Sequence, residues 1–181
     1  MGIKKKRERR NQHMKADTEV KRIQEKIKYW TKQEEGGLIT RYYRDQYGNY
    51  TVGYGHNLSA HNEKPRDVTK EEAERIFETD WEEATKTAQK FKGYQKLNQV
   101  RKGVITALAY QMGAKIHDFK NFATLVQEEK WTEAALELLK SKWAERDSPN
   151  RAWRTAYVFR EGREIAVEEV IQMNSVRHGK L

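Results

Sequence analysis

The chain has no cysteine, and Pro65 and Pro149 are the only prolines among its 181 residues. Without cysteine there is no disulfide, no thiolate metal site and no cysteine nucleophile, and folding does not depend on an oxidising compartment. The scarcity of proline, with no Ser/Gly-rich stretch, leaves nothing that reads as a flexible linker between independent domains. Long apolar runs are missing as well. The longest, Val104 to Tyr110, contains Thr106 and falls far short of the ~20 residues a membrane span needs. No apolar segment follows the basic start, so no secretory leader is expected. Lys6 stands where a myristoylation motif beginning at Gly2 would want Ser or Thr. Leu, Ile, Val and Phe make up only about 18% of the chain, at the edge of the range that signals disorder. The 9 Tyr and 5 Trp supply the burial this count misses. With a mean hydropathy of −1.07, the expectation is one folded, polar-surfaced unit, or two small lobes sharing a core, made as a soluble cytoplasmic protein.

Charge is present in excess of one sign, and it is localised. The formal net charge is +9, of which residues 1–16 contribute +6 through Lys4, Lys5, Lys6, Arg7, Arg9, Arg10 and Lys15 against Glu8. Such a block reads as a flexible arm that attracts polyanions: nucleic acid, lipid headgroups or anionic cell-envelope polymers. The nearly balanced body gives no reason to expect a nucleic-acid-binding fold, and none is expected as partner.

Val20, Ile23, Ile27 and Trp30 recur at three- and four-residue steps and predict an amphipathic helix from about Asp17 to Lys32, stopped at Gly36-Gly37. Between Ile39 and His56 the period changes to two. Tyr50, Val52 and Tyr54 alternate with Thr51 and Gly53, and Gly48-Asn49 marks a turn, predicting a hairpin or three-stranded sheet. Thr69-Lys70-Glu71-Glu72 reads as a capping box leading into Ala73, Ile76, Phe77 and Trp81. Val100, Val104, Ile105, Leu108 and Met112 form the most apolar helical stripe, and helical patterns continue from Phe119 to Trp143. Ser148-Pro149 should open another helix, with a capping hydroxyl and proline in the first turn, and Ile165 to Val176 a last short one. The fold class is α+β, mostly α. A small sheet-bearing lobe to about Thr69 is joined by a connecting helix to a helical lobe, with a groove between. The boundaries are an arm at 1–16, a two-lobed domain at 17–165 and a C-terminal extension at 166–181.

The chemistry-bearing stretch is Glu34-Glu35-Gly36-Gly37-Leu38, then Tyr43-Arg44-Asp45, then Tyr50-Thr51-Val52-Gly53-Tyr54-Gly55-His56. It places a carboxylic acid at a helix end, a second carboxylate on a hairpin and a hydroxyl six residues further on. Two carboxylates flanking an acetal bond, one as acid and one as base, are the minimum equipment for glycoside hydrolysis. This order of residues resembles the signature of the phage-type lysozymes, glycoside hydrolase family 24: Glu-Gly, Leu, Tyr-x-Asp, then Gly-x-x-Thr-(Ile/Val)-Gly-x-Gly-His. The resemblance continues through Tyr110-Gln111-Met112-Gly113, Trp131-Thr132-Glu133-Ala134-Ala135, Ser141-Lys142-Trp143, Ser148-Pro149-Asn150-Arg151-Ala152 and Phe159-Arg160-Glu161-Gly162, covering about residues 25–165.

What the resemblance implies is a two-lobed lysozyme-like fold and a muramidase. Such an enzyme hydrolyses the β-1,4 bond between N-acetylmuramic acid and N-acetylglucosamine in bacterial peptidoglycan, with inversion. Asp45 would be the base that activates water, and Thr51 would position that water. The acid would be Glu35, which directly precedes glycine. Glu34 remains open as the alternative, because this chain carries one more residue between acid and base than the family does. Arg151 would pair with the acid across the cleft. Gln111, Asn57 and Gly55 would line the substrate site, Asn57 standing where the family has an apolar residue. His56 has no second ligand at metal spacing beside it in the sequence, and the resemblance implies a structural ion pair with Asp80 instead. No cofactor and no metal are expected, and the state is monomeric. The product would be an endolysin held in the host cytoplasm until lysis, or a virion-associated enzyme. The alternative is a lysozyme-fold protein that binds the wall or a partner without turnover.

Overall fold

The structure is a computed structural model and describes residues 2–177. Among these the chain forms α1 (Gly2–Glu34), β1 (Ile39–Arg44), β2 (Tyr50–Gly53), β3 (His56–Asn57), α2 (Lys70–Gln89), α3 (Gln99–Met112), α4 (Lys120–Gln127), α5 (Trp131–Leu139), α6 (Pro149–Glu161) and α7 (Glu164–Arg177). This is the α+β, mostly helical architecture expected from the hydrophobic periods, with one three-stranded antiparallel sheet in the order β1-β2-β3.

The first helix is much longer than its apolar stripe. Its buried residues are Ile23, Ile27, Trp30 and Thr31, within the span expected to be helical, yet the helix begins at Gly2. The basic segment 2–16, expected as a flexible arm, is a fully exposed helical extension. Composition accounts for this, because no glycine or proline occurs from Ile3 to Glu35 and Lys, Arg, Gln and Ala all favour helix. Growing outward from an anchored helix also avoids the cost of a separate nucleus.

In the sheet, Tyr43 pairs with Thr51 and Arg44 with Tyr50, while Thr51 pairs with Asn57 and Val52 with His56. Cross-strand partners share a face, so Tyr43, Thr51 and Asn57 line one side and Val52 and His56 the other. The latter side packs on α2, whose Thr69 capping box is present as expected. α1 is tied to α2 by Lys32–Glu74 at 2.5 Å and Lys28–Glu78 at 2.7 Å.

The core is continuous across both lobes, from Ile27 and Trp30 through Phe77 and Trp81 to Phe122, Leu138 and Phe159. α3 runs through its middle. A Cβ on Gly103 would lie 2.2 Å from Ile27 Cδ1, so α1 and α3 cross in direct contact where only glycine leaves room. Arg101 closes the far end. Its guanidinium donates to the carbonyls of Phe159 and Arg160, at 2.8 and 2.9 Å, and stacks over Trp131. Of the tryptophans expected in the core, Trp30, Trp81 and Trp143 are buried, whereas Trp153 is exposed and stacked on Tyr157.

One local expectation, a serine cap, is corrected, and another, a last short helix, is met. Pro149 opens α6 as foreseen, but Ser148 gives no side-chain cap; its hydroxyl accepts a hydrogen bond from Gln111 Nε2 at 3.3 Å instead. The segment set apart as an extension, 166–181, is helical as far as Arg177 and buries Ala166, Val167, Val170 and Asn174. Glu164, just ahead of it, accepts hydrogen bonds from Arg22 and Lys26 of α1. Residues 178–181 of that segment, and Met1 of the arm, lie outside the described residues.

Candidate active site

The site begins where α1 ends. Adjacent helical residues point about 100° apart, and Glu34 and Glu35 therefore meet different surroundings. Glu34 turns into the helical lobe. Its carboxylate accepts from Arg154 Nε at 2.6 Å and Nη2 at 2.8 Å, from Trp30 Nε1 at 2.9 Å and from Asn174 Nδ2 at 3.0 Å. Burial pushes its pKa up, but the hydrogen bonds from Arg154 and Asn174, the Arg154 charge and Trp30 outweigh burial and hold it below the ordinary carboxylate value. Every oxygen of Glu34 is engaged in a structural pair.

Glu35 turns toward the sheet. Arg151 Nη1, from α6 on the other lobe, donates to its Oε1 at 2.8 Å. Its Oε2 lies so close to Gly55 that a Cβ there would come within 2.5 Å. Gly55 has φ +77°, which only glycine adopts without strain, so the β2–β3 turn can press its backbone against the carboxylate. Gly36 and Gly37, at φ +87° and +80°, turn the chain out of the helix just after Glu35, whose N–H still bonds the carbonyl of Thr31 at 3.0 Å.

Asp45 sits at the head of the β1–β2 turn. Its Oδ1 accepts the backbone N–H groups of Tyr47 and Asn49, at 2.9 and 2.8 Å, which fixes the carboxylate's direction. Tyr43, on β1, lies near both this carboxylate and that of Glu35. Burial raises the Tyr43 phenol's pKa, and the nearby charges of Glu35 and Asp45 add to that. Thr51, opposite Tyr43 in the sheet, is buried, with its hydroxyl 3.4 Å from the carbonyl of Asn49. Arg151 and Gly55 thus meet at Glu35, while Asp45 and Thr51 stand on the adjoining sheet, with Tyr43 near both carboxylates.

The remaining expected residues lie at the margins. Gln111 lines a small cavity with Trp30, Glu34 and Arg151, and its Oε1 is buried without a partner. Asn57 uses its Oδ1 to accept from Ala60 N–H at 2.9 Å, so only its NH2 side remains to offer. Tyr110, part of the motif around Gln111, was given no role from the sequence. Its hydroxyl donates to the carbonyl of Tyr54 at 2.6 Å and so fixes the chain entering Gly55. Burial, followed by the charges of Glu35 and Asp80, raises its pKa well above the ordinary phenol value. Arg154 was missed too, although it stands three residues after Arg151, one helical turn along α6.

His56 lies on the opposite face of the sheet. Its Nδ1 is 2.7 Å from Asp80 Oδ2, the pair anticipated, and its Nε2 is 2.5 Å from Glu63 Oε2. Burial pushes its pKa down, but the hydrogen bonds with Asp80 and Glu63 prevail and raise it. The chain also brings His61 against this ring, an association that sequence spacing did not suggest.

A mostly helical two-lobed body, with a three-stranded sheet whose adjoining carboxylate is held by an arginine of the other lobe, defines the lysozyme-like class. The family described as phage lysozyme matches residues 32–153. Two relatives from Dictyostelium discoideum, "Probable T4-type lysozyme 2" and "Probable T4-type lysozyme 1", are 29% and 30% identical over 162 residues. Each alignment covers 75% of this chain and 94% of the relative. The chain belongs to the phage lysozyme family. The matched span runs from the last turn of α1, which carries Glu34 and leads into Glu35, to just past Arg151, and leaves the basic extension outside it.

Proposed function

We propose that the protein is a muramidase that hydrolyses the β-1,4 bond between N-acetylmuramic acid and N-acetylglucosamine of bacterial peptidoglycan. The observation that carries this reading is the division of labour between neighbouring glutamates. Glu34 spends its carboxylate on a buried ion pair, whereas Glu35 is held by one arginine bond and one close glycine, with Asp45 across Tyr43.

In the mechanism, Glu35 gives its proton to the glycosidic oxygen as the bond from that oxygen to the anomeric carbon breaks. Asp45 takes a proton from a water that adds to the anomeric carbon from the opposite face, with Thr51 orienting the water. Inversion by this route needs the carboxyls about 6.5–9.5 Å apart. Arg151 orients Glu35, and Gln111, Asn57 and Gly55 contact the sugar chain. On this reading Gly36 and Gly37 take up the residue inserted between acid and base, which favours hydrolysis over wall binding without turnover.

The test is turbidity loss of purified peptidoglycan with the wild type, Glu34→Gln, Glu35→Gln and Asp45→Asn, with the product anomer read by NMR. Loss of turnover in Glu35→Gln and Asp45→Asn, and an inverted product from the wild type, support the reading. A wild type that sediments with the wall without clearing it would replace it by the binding reading.

Among the described residues no helix is long and apolar enough to cross a membrane. On the proposed reading the enzyme waits in the host cytoplasm for a membrane lesion, or travels with a virion, and acts as a monomer in host lysis. The basic helix 2–16 concentrates it on anionic envelope polymers. Deleting residues 1–16 spares Ile23, the first buried residue of α1. The deletion should weaken lysis of permeabilised cells more than hydrolysis of purified wall, and equal loss in both assays argues against that role.

A further inference from the structure

Behind the sheet, where β3 and its following turn meet α2, a second group of side chains is arranged with more order than ion pairing requires. The His61 Nδ1 lies 2.8 Å from the carbonyl oxygen of Asn57. A carbonyl only accepts, so Nδ1 carries the hydrogen and Nε2 of the neutral ring keeps its lone pair. The ring is stacked on His56, with centroids 4.4 Å apart and planes 27° apart, which restricts its rotation. Its Nε2 is 3.9 Å from Glu83 Oε2. One donor atom each from His61, Asp80 and Glu83 falls within 4.8 Å of the others. Asp80 and Glu83 stand three residues apart on α2 and so share a face. Asp80 is itself held by His56 Nδ1 at 2.7 Å.

This is the pattern of a metal centre with its outer support in place. The ligating imidazole donates its other N–H to a backbone carbonyl, and a carboxylate is fixed by a hydrogen bond from behind. We infer that His61, Asp80 and Glu83 bind a divalent transition-metal ion, with His56 as a positioning residue. One imidazole and two carboxylates suit zinc or its neighbours better than magnesium or calcium, which take oxygen ligands and higher coordination. Three protein ligands leave a fourth position to water. The ion would clip the turn carrying His61 to α2, bracing the back of the sheet whose front carries Thr51.

The test uses the full chain, stripped with chelator and titrated calorimetrically with zinc chloride at slightly alkaline pH, then melted with and without zinc. Expected are one-to-one saturable binding, a zinc-dependent rise in Tm that magnesium does not give, and visible d–d absorption when cobalt(II) replaces zinc. His61→Ala and Glu83→Gln should each weaken binding by about tenfold or more. Both side chains are exposed, so in chelator both variants should melt with the wild type; should one of them fold poorly, the affinity of the other decides. Absence of saturable zinc binding, or unchanged affinity in both variants, would overturn the inference, the latter by assigning the metal to another histidine such as His13 beside Asp17.

Discussion

Replacing Glu34 with glutamine should cost stability, and replacing Glu35 should cost turnover, although the two residues are neighbours. The Glu34 side chain is 6% exposed and that of its partner Arg154 12%. Glutamine removes the charge, turns an NH2 donor toward a guanidinium that has no use for it, and leaves a buried cation uncompensated. Breaking such a pair from one side costs about 3–5 kcal/mol. For a chain of this size that lowers Tm by about 6–20 °C, at roughly 2–4 °C per kcal/mol. The acid side of the stability profile should change too. Glu34 has a depressed folded pKa, so its contribution is complete above about 4.5 and disappears as pH falls through the folded value. Glu34→Gln should flatten that part of the curve. Replacing both partners with apolar residues, Glu34→Leu with Arg154→Met, should recover only part of the loss, because no unpaired charge remains but Trp30 Nε1 and Asn174 Nδ2 lose their acceptor. Glu35→Gln also breaks an ion pair, with Arg151, but that pair has one arginine bond instead of two and a more exposed carboxylate, so its Tm should fall by less than that of Glu34→Gln while turnover falls by about 10²–10⁴. Thermal melting by circular dichroism and clearing of purified peptidoglycan, on the same preparations, decide the matter. A Glu34→Gln variant that melts like the wild type but is inactive, beside an active Glu35→Gln, would refute the assignment.

Gly55→Ala should add about 1–2 kcal/mol of left-handed backbone strain and push the Glu35 carboxylate away, lowering turnover by up to about 10²; an unchanged rate would show that Gly55 does not position Glu35. Gly103→Ala should cost about 1–3 kcal/mol by overpacking against Ile27, with the rate per folded molecule unchanged. Adding Ile27→Val, which removes the clashing methyl, should return part of that stability, and simple additivity of the two losses would argue against the clash. His56, measured by NMR in chelator, should titrate above the ordinary histidine value of about 6.5. A raised folded pKa contributes stability fully below the unfolded value and loses it as pH rises through the folded one. Asp80→Asn should therefore flatten the alkaline side of that window, and a His56 that titrates at its ordinary value would remove the pairing argument.

Much of the fold was legible because the sequence changes period where the structure changes kind. The alternation of Tyr50, Val52 and Tyr54 marks the sheet, and Thr69 with Glu72 marks the start of α2. The choice between Glu34 and Glu35 was not legible. Spacing along the chain cannot say whether an inserted residue is taken up inside the helix or beyond it. In the structure the chain leaves the helix at Gly36 and Gly37, both at positive φ, and the two carboxylates end in different surroundings. The helical form of residues 2–16 was hidden for another reason, since a segment that buries nothing has no hydrophobic period to read. The packing of α7 depends on Glu164 and Asn174 meeting α1 about 140 residues away, a pairing that no local pattern announces. The association of His56 with His61 is likewise set by the turn after β3, whose shape is carried by Asn57.

The uninterrupted run of α1 makes the basic segment a mast and not a tether. Its first ion pair with another element, among the described residues, is Arg22 with Glu164, so some twenty residues project before it, roughly 30 Å at 1.5 Å per residue. A loose tail would let the body drift through a sphere of positions around whatever the tail had gripped. A mast would fix distance and bearing together, because the helix proposed to meet the surface is the one that ends at Glu34 and carries the chain on to Glu35 beside Gly55. Rotating the charged face by one residue would swing it about 100° around the axis while leaving every contact of the body untouched. On the proposed reading, the orientation of the site toward a bound polymer would therefore be written in the phase of a segment, 2–16, that is exposed throughout.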